Sequence, residues 1–128
     1  MNGGQLEVTP LDAIDAEGDG VAWSASPEGV NVNLVVLGSH SGISLHRNDE
    51  VDVLIVVLAG GGTLLADAAT HPLAAGDAVM VPRGTERALD AGPTGLRYLT
   101  IHRARGALRI TDRAQSDPWT SPHNNSPA

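Results

Sequence analysis

The sequence predicts an all-β protein, a single antiparallel barrel, and three observations support this prediction. Short runs rich in Val, Leu and Ile recur along the chain between turn residues, at a spacing of about eight to twelve residues, which is typical of a sandwich or barrel. Aromatic residues are almost absent, so the core has to be built from Val, Leu, Ile and Ala, which suits strands packed face to face. We find no convincing helical period.

The length of 128 residues corresponds to one domain that is large enough to bury a core. We predict a flexible N-terminal arm at residues 1–20, where a short strand at residues 6–8 is the only regular element. The barrel is predicted at residues 21–111. Residues 112–128 collect Pro, Ser, Asn and Asp with few apolar residues, so we predict a disordered tail there.

The first predicted strands precede an acidic corner. Residues 21–26 carry Trp23 and end at a Pro-Glu-Gly turn. Residues 30–37 alternate for four positions and then become continuously apolar, which predicts a strand with one end buried on both faces. Residues 43–48 alternate again and lead into the acidic corner. Residues 53–58 contain no polar side chain, so they are predicted to form a central strand.

Glycine and proline divide the second half of the barrel. Gly60–Gly62 predicts a tight hairpin, because glycine tolerates the positive φ that such turns need. A second turn is predicted at residues 68–71, and a break in the following strand at residues 91–95. The strands between and after these turns are predicted at residues 63–67, 78–81, 87–90, 96–102 and 107–111.

Two groups of residues resemble the sequence motifs of the cupins, a superfamily of small β-barrels. Three residues fall at the places of the scaffold residues in the family's second motif: Gly76, Pro82 and Gly84. In the first motif, His46 takes the place of the first histidine and Gly60 that of the closing glycine. The resemblance covers roughly residues 30–103 and implies a double-stranded β-helix, that is, a jelly-roll barrel.

The metal-binding positions of the same motifs are substituted. The family's second histidine, glutamate, last histidine and asparagine are replaced here by Asn48, Val53, Arg87 and Ala91. A shorter spacer would place Asp52 at the glutamate position, but it agrees less well with Gly60. Arginine offers no lone pair to a metal and carries a fixed positive charge. We therefore expect that the usual metal site is lost and that the barrel holds no cofactor.

Two interpretations of the remaining polar residues stay open. In the first, the barrel binds a small polar or anionic molecule whose carboxylate or phosphate pairs with Arg87. The ligand-binding residues would then be His46, Asn48, Asp52 and Arg87. In the second, Asp52 or Glu50 neutralises Arg87, the polar groups satisfy one another, and the barrel is a structural module that binds nothing.

A rebuilt divalent-metal site is the third interpretation. It would use His46, Glu50 and Asp52, because imidazole and carboxylate groups are metal ligands. A histidine outside the motifs, His40 or His102, would complete the ligand set. This interpretation would make the chain a metal-dependent oxygenase or isomerase.

A metal-free acid–base isomerase is the other enzymatic alternative, with His46 as the base and Tyr98 as the acid. It requires both side chains to face one cavity, which strand parity alone does not establish. Asn31 and Asn33 share one face of their strand. If that face points inward, Asn33 joins the rim of the ligand pocket; if it points outward, Asn33 is an ordinary exposed residue.

Charge and composition restrict the classes of partner that the protein can bind. The net charge of −7 argues against nucleic acid and against an anionic membrane surface. No apolar run is long enough to span a bilayer and no signal-peptide pattern is present, so we predict a cytoplasmic protein. The absence of cysteine excludes disulfides and thiolate metal sites. Unpaired sheet edges favour a homodimer, as the resemblance to small cupins also implies.

The charges are distributed unevenly. Six acidic residues and no basic residue precede Asn31, whereas five arginines lie between Arg97 and Arg113. Two interpretations stay open: both segments are solvated surface, or the acidic arm lies across the basic strand of its own chain or of a neighbour.

Overall fold

The computed structural model describes residues 5–104, and these residues form seven antiparallel β-strands. The strands are β1 (Gly20–Ala25), β2 (Val30–Leu37), β3 (Gly42–Arg47), β4 (Val53–Ala66), β5 (Ala69–Ala74), β6 (Ala78–Val81) and β7 (Glu86–Arg103). One turn of 3₁₀ helix, Leu11–Ala13, precedes them. The prediction of an all-β antiparallel architecture is confirmed.

Two long strands, β4 and β7, hold the barrel together because each belongs to both of its halves. Residues 96–103 of β7 pair with β2 and with the first half of β4, and β1 and β6 extend this half at its two edges. Residues 86–91 of β7 pair with β3 and with the second half of β4, which also pairs with β5. Both halves contribute side chains to one apolar core, so the sheet folds back on itself as a jelly roll.

The bend between the halves lies at glycines, which corrects two predictions. β4 continues through Gly60–Gly62 instead of turning there, and β7 continues through residues 91–95 instead of breaking. A Cβ at Gly62 would overlap the carbonyl oxygen of Asp90, and a Cβ at Gly60 would overlap that of Gly95. These glycines therefore serve the close approach of two bent strands and do not form a hairpin.

The hairpin between β4 and β5 lies at Asp67 and Ala68. Their φ angles are 54° and 58°, and the flanking residues Ala66 and Ala69 are paired, so the loop has the two left-handed residues of a primed turn. The predicted turn at residues 68–71 is therefore wrong. The sequence does not show it because neither residue is a glycine. β5 instead carries Pro72, which it tolerates because it pairs only with β4.

The N-terminal arm lies against β7. The guanidinium of Arg97 donates hydrogen bonds to the carbonyl oxygens of Leu11, at 2.7 Å, and Ile14, at 3.0 Å. The arm therefore crosses the basic strand of its own chain, and backbone carbonyls make these contacts with the arginine. No strand forms at residues 6–8, which corrects that prediction, because both apolar side chains of this segment are exposed.

The predicted strand at residues 107–111 and the predicted tail lie outside the described residues. The other predicted strands agree with the structure to within a few residues, and the prediction at residues 30–37 matches β2 in full. Within residues 5–104, no helix is long and apolar enough to cross a membrane.

Candidate ligand-binding site

The inner face of β7 is apolar near the bend and polar toward both ends of the strand. Its inward side chains near the bend are Leu89, Ala91 and Leu96. Away from the bend they are Arg87 on one half of the barrel and Thr100 and His102 on the other, all of them buried. Glu86, at one end of β7, pairs with Arg47, and Arg103, at the other end, donates a hydrogen bond of 3.0 Å to the carbonyl oxygen of Glu50. Both ends of β7 therefore lie beside the segment that joins β3 to β4.

Arg87 is fully buried, with 0% of its surface exposed. One terminal nitrogen, Nη1, donates a hydrogen bond of 3.2 Å to the carbonyl oxygen of Thr85. The other two nitrogens, Nε and Nη2, are buried and have no hydrogen-bond partner among the described residues. Burial lowers the pKa of Arg87 to about 10, opposed by a smaller effect of Tyr98, so the guanidinium stays charged at neutral pH.

His46 lies opposite Arg87 across the ladder between β3 and β7. Its Nδ1 is 2.9 Å from the carbonyl oxygen of Ser44, and because a carbonyl can only accept, Nδ1 carries the hydrogen. Nε2 is then a lone-pair acceptor in the neutral ring, and it is buried without a partner in the part of the chain that the structure describes. Burial lowers the pKa of His46; the bond to Ser44 acts in the opposite direction, and the charge of Arg87 lowers the pKa further.

Tyr98 is the third member of this cluster. Its side chain is fully buried between the positions of Val35 on β2 and Val57 on β4, and its hydroxyl has no hydrogen-bond partner in residues 5–104. Burial raises the pKa of Tyr98, and the nearby charge of Arg87 lowers it by less. The hydroxyl is therefore protonated at neutral pH and is a donor without an acceptor. Arg87 acts electrostatically on both His46 and Tyr98, so the three side chains are neighbours. That His46 and Tyr98 face one cavity, as an acid–base isomerase requires, stays a prediction.

Asn48 and Asp52 occupy positions that differ from the predicted site. Asn48 is buried, but its Oδ1 accepts the backbone N–H groups of Glu50, at 2.9 Å, and Val51, at 3.2 Å, so it holds the turn before β4. Asp52 is exposed, and its Oδ1 accepts the backbone N–H of Arg83 at 2.8 Å. The structure therefore does not bring Asp52 to the cluster.

The structure does not show the predicted neutralisation of Arg87 by Asp52 or Glu50. The pKa of Arg87 responds to burial and to Tyr98, and to neither of these carboxylates. An ion pair of 3.0 Å joins Arg47 and Asp49, but it lies on the surface. Arg87 is thus a buried cation without a carboxylate partner in residues 5–104.

Asn33 faces inward, which is one of the two orientations that the sequence left open. It is half-buried, accepts a hydrogen bond from the hydroxyl of Ser24 at 2.7 Å, and is 3.4 Å from the hydroxyl of Thr100. Thr100 was not predicted as a site residue, although the strand period of two places it beside Tyr98 on the same face. The role of Thr85 could not have been predicted, because only its backbone carbonyl contacts Arg87.

The residues at the motif positions do not fit a divalent metal. Val53, at the position predicted to replace the family's glutamate, is buried and apolar, while its neighbour Asp52 is exposed. Asn48 already uses its oxygen on the backbone, and Arg87 would repel a cation. Within residues 5–104 no three His, Cys, Asp or Glu residues lie close enough together to hold a metal ion, so His46, Glu50 and Asp52 do not form a ligand set.

A groove of about 360 Å³ opens between β5 and β6, which both pair with β4 but not with each other. Its walls include core residues of the barrel, among them Leu64, Ala66 and Val81. Arg87, His46 and Tyr98 do not line it. It does reach Thr85, whose backbone carbonyl accepts the hydrogen bond from Arg87.

Solved structures with the same architecture are known. A protein with a double-stranded β-helix domain from Klebsiella pneumoniae has a TM-score of 0.69 at 13% identity, over 80% of this chain and 94% of that one. A cupin superfamily protein from Desulfitobacterium hafniense has a TM-score of 0.63 at 23% identity, over 77% and 92% of the two chains. An RmlC-like cupin from Desulfovibrio desulfuricans has a TM-score of 0.60 at 20% identity, over 78% and 92%. No protein-family model and no curated protein matches the sequence.

The described residues therefore form a jelly-roll barrel of antiparallel strands. More particularly, the chain has the double-stranded β-helix fold of a small cupin domain, as its sequence motifs predicted. These identities are low and show the fold alone. What the barrel does has to be argued from its own residues.

Proposed function

We propose that this barrel binds a small anionic molecule through Arg87, without the metal site of other cupins. The observation that supports this most directly is the fully buried guanidinium, which within residues 5–104 has two unpartnered nitrogens and no ion pair with a carboxylate. Removing a charge from water costs several kcal/mol unless a counter-charge and hydrogen bonds compensate it. A bound anion would supply both.

The geometry of the free groups suits a planar anion. Nε and Nη2 form one edge of the guanidinium and present two roughly parallel N–H groups, which is the arrangement that binds both oxygens of a carboxylate. Nη1, on the other edge, is already held by the carbonyl of Thr85, so the orientation of Arg87 is set in advance. Tyr98 offers an additional buried hydroxyl donor. The neighbouring Val35 and Val57 are apolar, as is usual for the walls of a small-molecule pocket.

The test is binding of small anions at constant ionic strength, measured by thermal shift and calorimetry with acetate and inorganic phosphate against chloride. Arg87→Met removes the proposed site, and Arg47→Met is the matched control, because Arg47 is a surface residue paired only with Asp49. We expect at least one anion to raise the melting temperature of the wild type and of Arg47→Met but not of Arg87→Met. An equal rise in all three proteins would show that the anion binds elsewhere.

A second candidate function is metal-free acid–base isomerisation, with His46 as base and Tyr98 as acid. It is favoured by one observation: the Ser44 carbonyl fixes the tautomer of His46 so that the lone pair of Nε2 faces the buried cluster. A bound carbonyl compound with an acidic C–H would then exchange hydrogen with D₂O in the wild type and not in His46→Leu. Absence of exchange in a ligand that binds would exclude this candidate and leave the binding function.

The proposal also includes a cytoplasmic homodimer that takes no nucleic acid, membrane or cofactor as partner. β1 is an edge strand with Val21 half exposed, which supports pairing through this edge. Light scattering of the full chain would give the mass, and a monomer at micromolar concentration would contradict the homodimer.

Elemental analysis of untagged protein purified without chelator, with His46→Ala analysed in parallel, tests whether the protein holds a metal cofactor. Stoichiometric metal that is lost in His46→Ala would overturn the proposal of a metal-free site.

A further inference from the structure

The unpartnered atoms around Arg87 also constrain the ligand class, on the assumption that the proposed anion binding is correct. Three of them are donors: Nε and Nη2 of Arg87 and the hydroxyl of Tyr98. The fourth, Nε2 of His46, is an acceptor, because the hydrogen of the neutral ring is on Nδ1 and is given to Ser44. A ligand that pairs with all four atoms has to carry hydrogen-bond acceptors as well as a hydrogen-bond donor.

The charge of the ligand follows from the single cation. Arg87 carries one positive charge, and the lowered pKa of His46 leaves the imidazole neutral at pH 7. A carboxylate carries one negative charge, whereas a phosphate monoester carries about 1.5 to 2 at this pH. Because an uncompensated charge in a buried site is costly, the monoanion is favoured over the dianion.

The free acceptor on His46 indicates that the ligand also carries a hydrogen-bond donor. A plain carboxylate has only acceptor oxygens, so it would satisfy Arg87 and Tyr98 and leave the buried lone pair of Nε2 unpaired. A hydroxyl on the same molecule can donate to that lone pair. His46 and Arg87 are directly opposite across two neighbouring strands, where Cβ atoms are about 5 Å apart, so one compact molecule can contact both side chains.

We propose that the ligand is a small hydroxycarboxylate, with its carboxylate on Arg87 and Tyr98 and its hydroxyl donating to Nε2 of His46. Thr100 and Asn33 are not needed for this arrangement, because their side chains hydrogen-bond to each other and Asn33 also accepts from Ser24. His46 is therefore the residue that distinguishes a hydroxy acid from its deoxy counterpart, and Arg87 is the residue that both acids require.

The experiment compares matched acids by calorimetry at pH 7.5: glycolate with acetate, and 3-hydroxypropionate with propionate. The two pairs place the hydroxyl at two distances from the carboxylate. We expect the hydroxy acid of at least one pair to bind about tenfold more tightly, since one satisfied buried acceptor contributes about that factor. In His46→Leu the ratio is expected to fall to about one while the affinity for the deoxy acid stays within about twofold. His46→Gln, which keeps an acceptor oxygen, is expected to restore part of the preference and serves if His46→Leu does not fold.

Three results would overturn this inference, and they differ in what they say about the proposed function. Equal affinities within both pairs, with binding that still depends on Arg87, would reject the hydroxycarboxylate and leave an anion-binding barrel. No binding of any of the four acids would remove both the inference and the proposed carboxylate site. A preference that persists unchanged in His46→Leu would assign the hydroxyl to another residue and would also reject the inference.

Discussion

Arg87 faces His46 across the β3–β7 ladder, so a permanent cation and an imidazole are direct neighbours inside the barrel. The relationship has a clear electrostatic consequence, because the cation disfavours protonation of the ring and burial acts in the same direction. The imidazole stays neutral, and its free nitrogen is an acceptor in a cluster whose other free groups are donors.

Replacing Arg87 with Met is expected to stabilise the unliganded protein. The substitution keeps an unbranched chain in the core and removes a buried charge without a counter-charge, so we expect the free energy of unfolding to rise by about 1–3 kcal/mol. Urea denaturation in a buffer without carboxylates or phosphate measures it. Arg47→Met, on the surface, should change the same quantity by less than about 0.5 kcal/mol. A clear loss of stability in Arg87→Met would mean that the guanidinium is already satisfied in the free protein.

The stability of the protein is expected to depend on the protonation of His46. Because the fold lowers the pKa of His46 below its usual value of about 6.5, the unfolded chain binds a proton more readily than the folded one. The resulting stabilisation is complete above pH about 6.5 and is lost as the pH falls through the folded pKa. The wild type should therefore lose stability relative to His46→Gln between pH 7 and pH 5. Parallel curves for the two proteins would contradict the lowered pKa, since the other histidines are common to both.

Gly62→Ala is expected to destabilise the barrel strongly although Gly62 lies in a strand. The new Cβ would overlap the carbonyl oxygen of Asp90 on the neighbouring strand, and backbone atoms cannot move aside as a flexible side chain can. We expect a loss of about 1–3 kcal/mol, measured by thermal or urea unfolding. The matched control is Gly38→Ala, where the nearest atom to a Cβ is a side-chain oxygen of Asp19 at 3.6 Å. If both variants lose the same stability, the close approach of β4 and β7 is not the reason for the glycine.

Asn48→Ala is expected to lower stability without changing anion affinity. Its side-chain oxygen caps two backbone N–H groups in the turn before β4, and removing a buried acceptor of this kind costs about 1–2 kcal/mol. Denaturation and acetate calorimetry on the same variant separate the two effects. Asn31→Ala is a suitable control, because Asn31 accepts only from the exposed hydroxyl of Ser26. A selective loss of acetate binding in Asn48→Ala would return Asn48 to the ligand site.

Period and spacing were sufficient to predict the architecture of this barrel. The alternation and apolar run of residues 30–37 predicted β2, and Val53, which the spacing from His46 and Gly60 selected for the glutamate position, is buried where Asp52 is exposed. These features are local, because the strand period determines which side chains share a face. The glycines were interpreted wrongly for the opposite reason. The function of Gly62 is set by the approach of Asp90, a residue far along the chain.

The sequence by itself determined that this is an all-β domain with cupin-like spacing and an arginine where a metal ligand is expected. Only the tertiary structure decided which groups surround that arginine. The carboxylates that follow β3 in sequence do not pair with it: Asp52 points to solvent and Glu50 forms no ion pair with Arg87. The fold instead places His46 and Tyr98 near Arg87, from two other segments of the barrel. Strand parity determines which face of the sheet each side chain lies on, but the bend in β4 and β7 determines which faces pack against each other. This matters for Arg87, because the free energy cost of burying a charge depends on the groups that surround it.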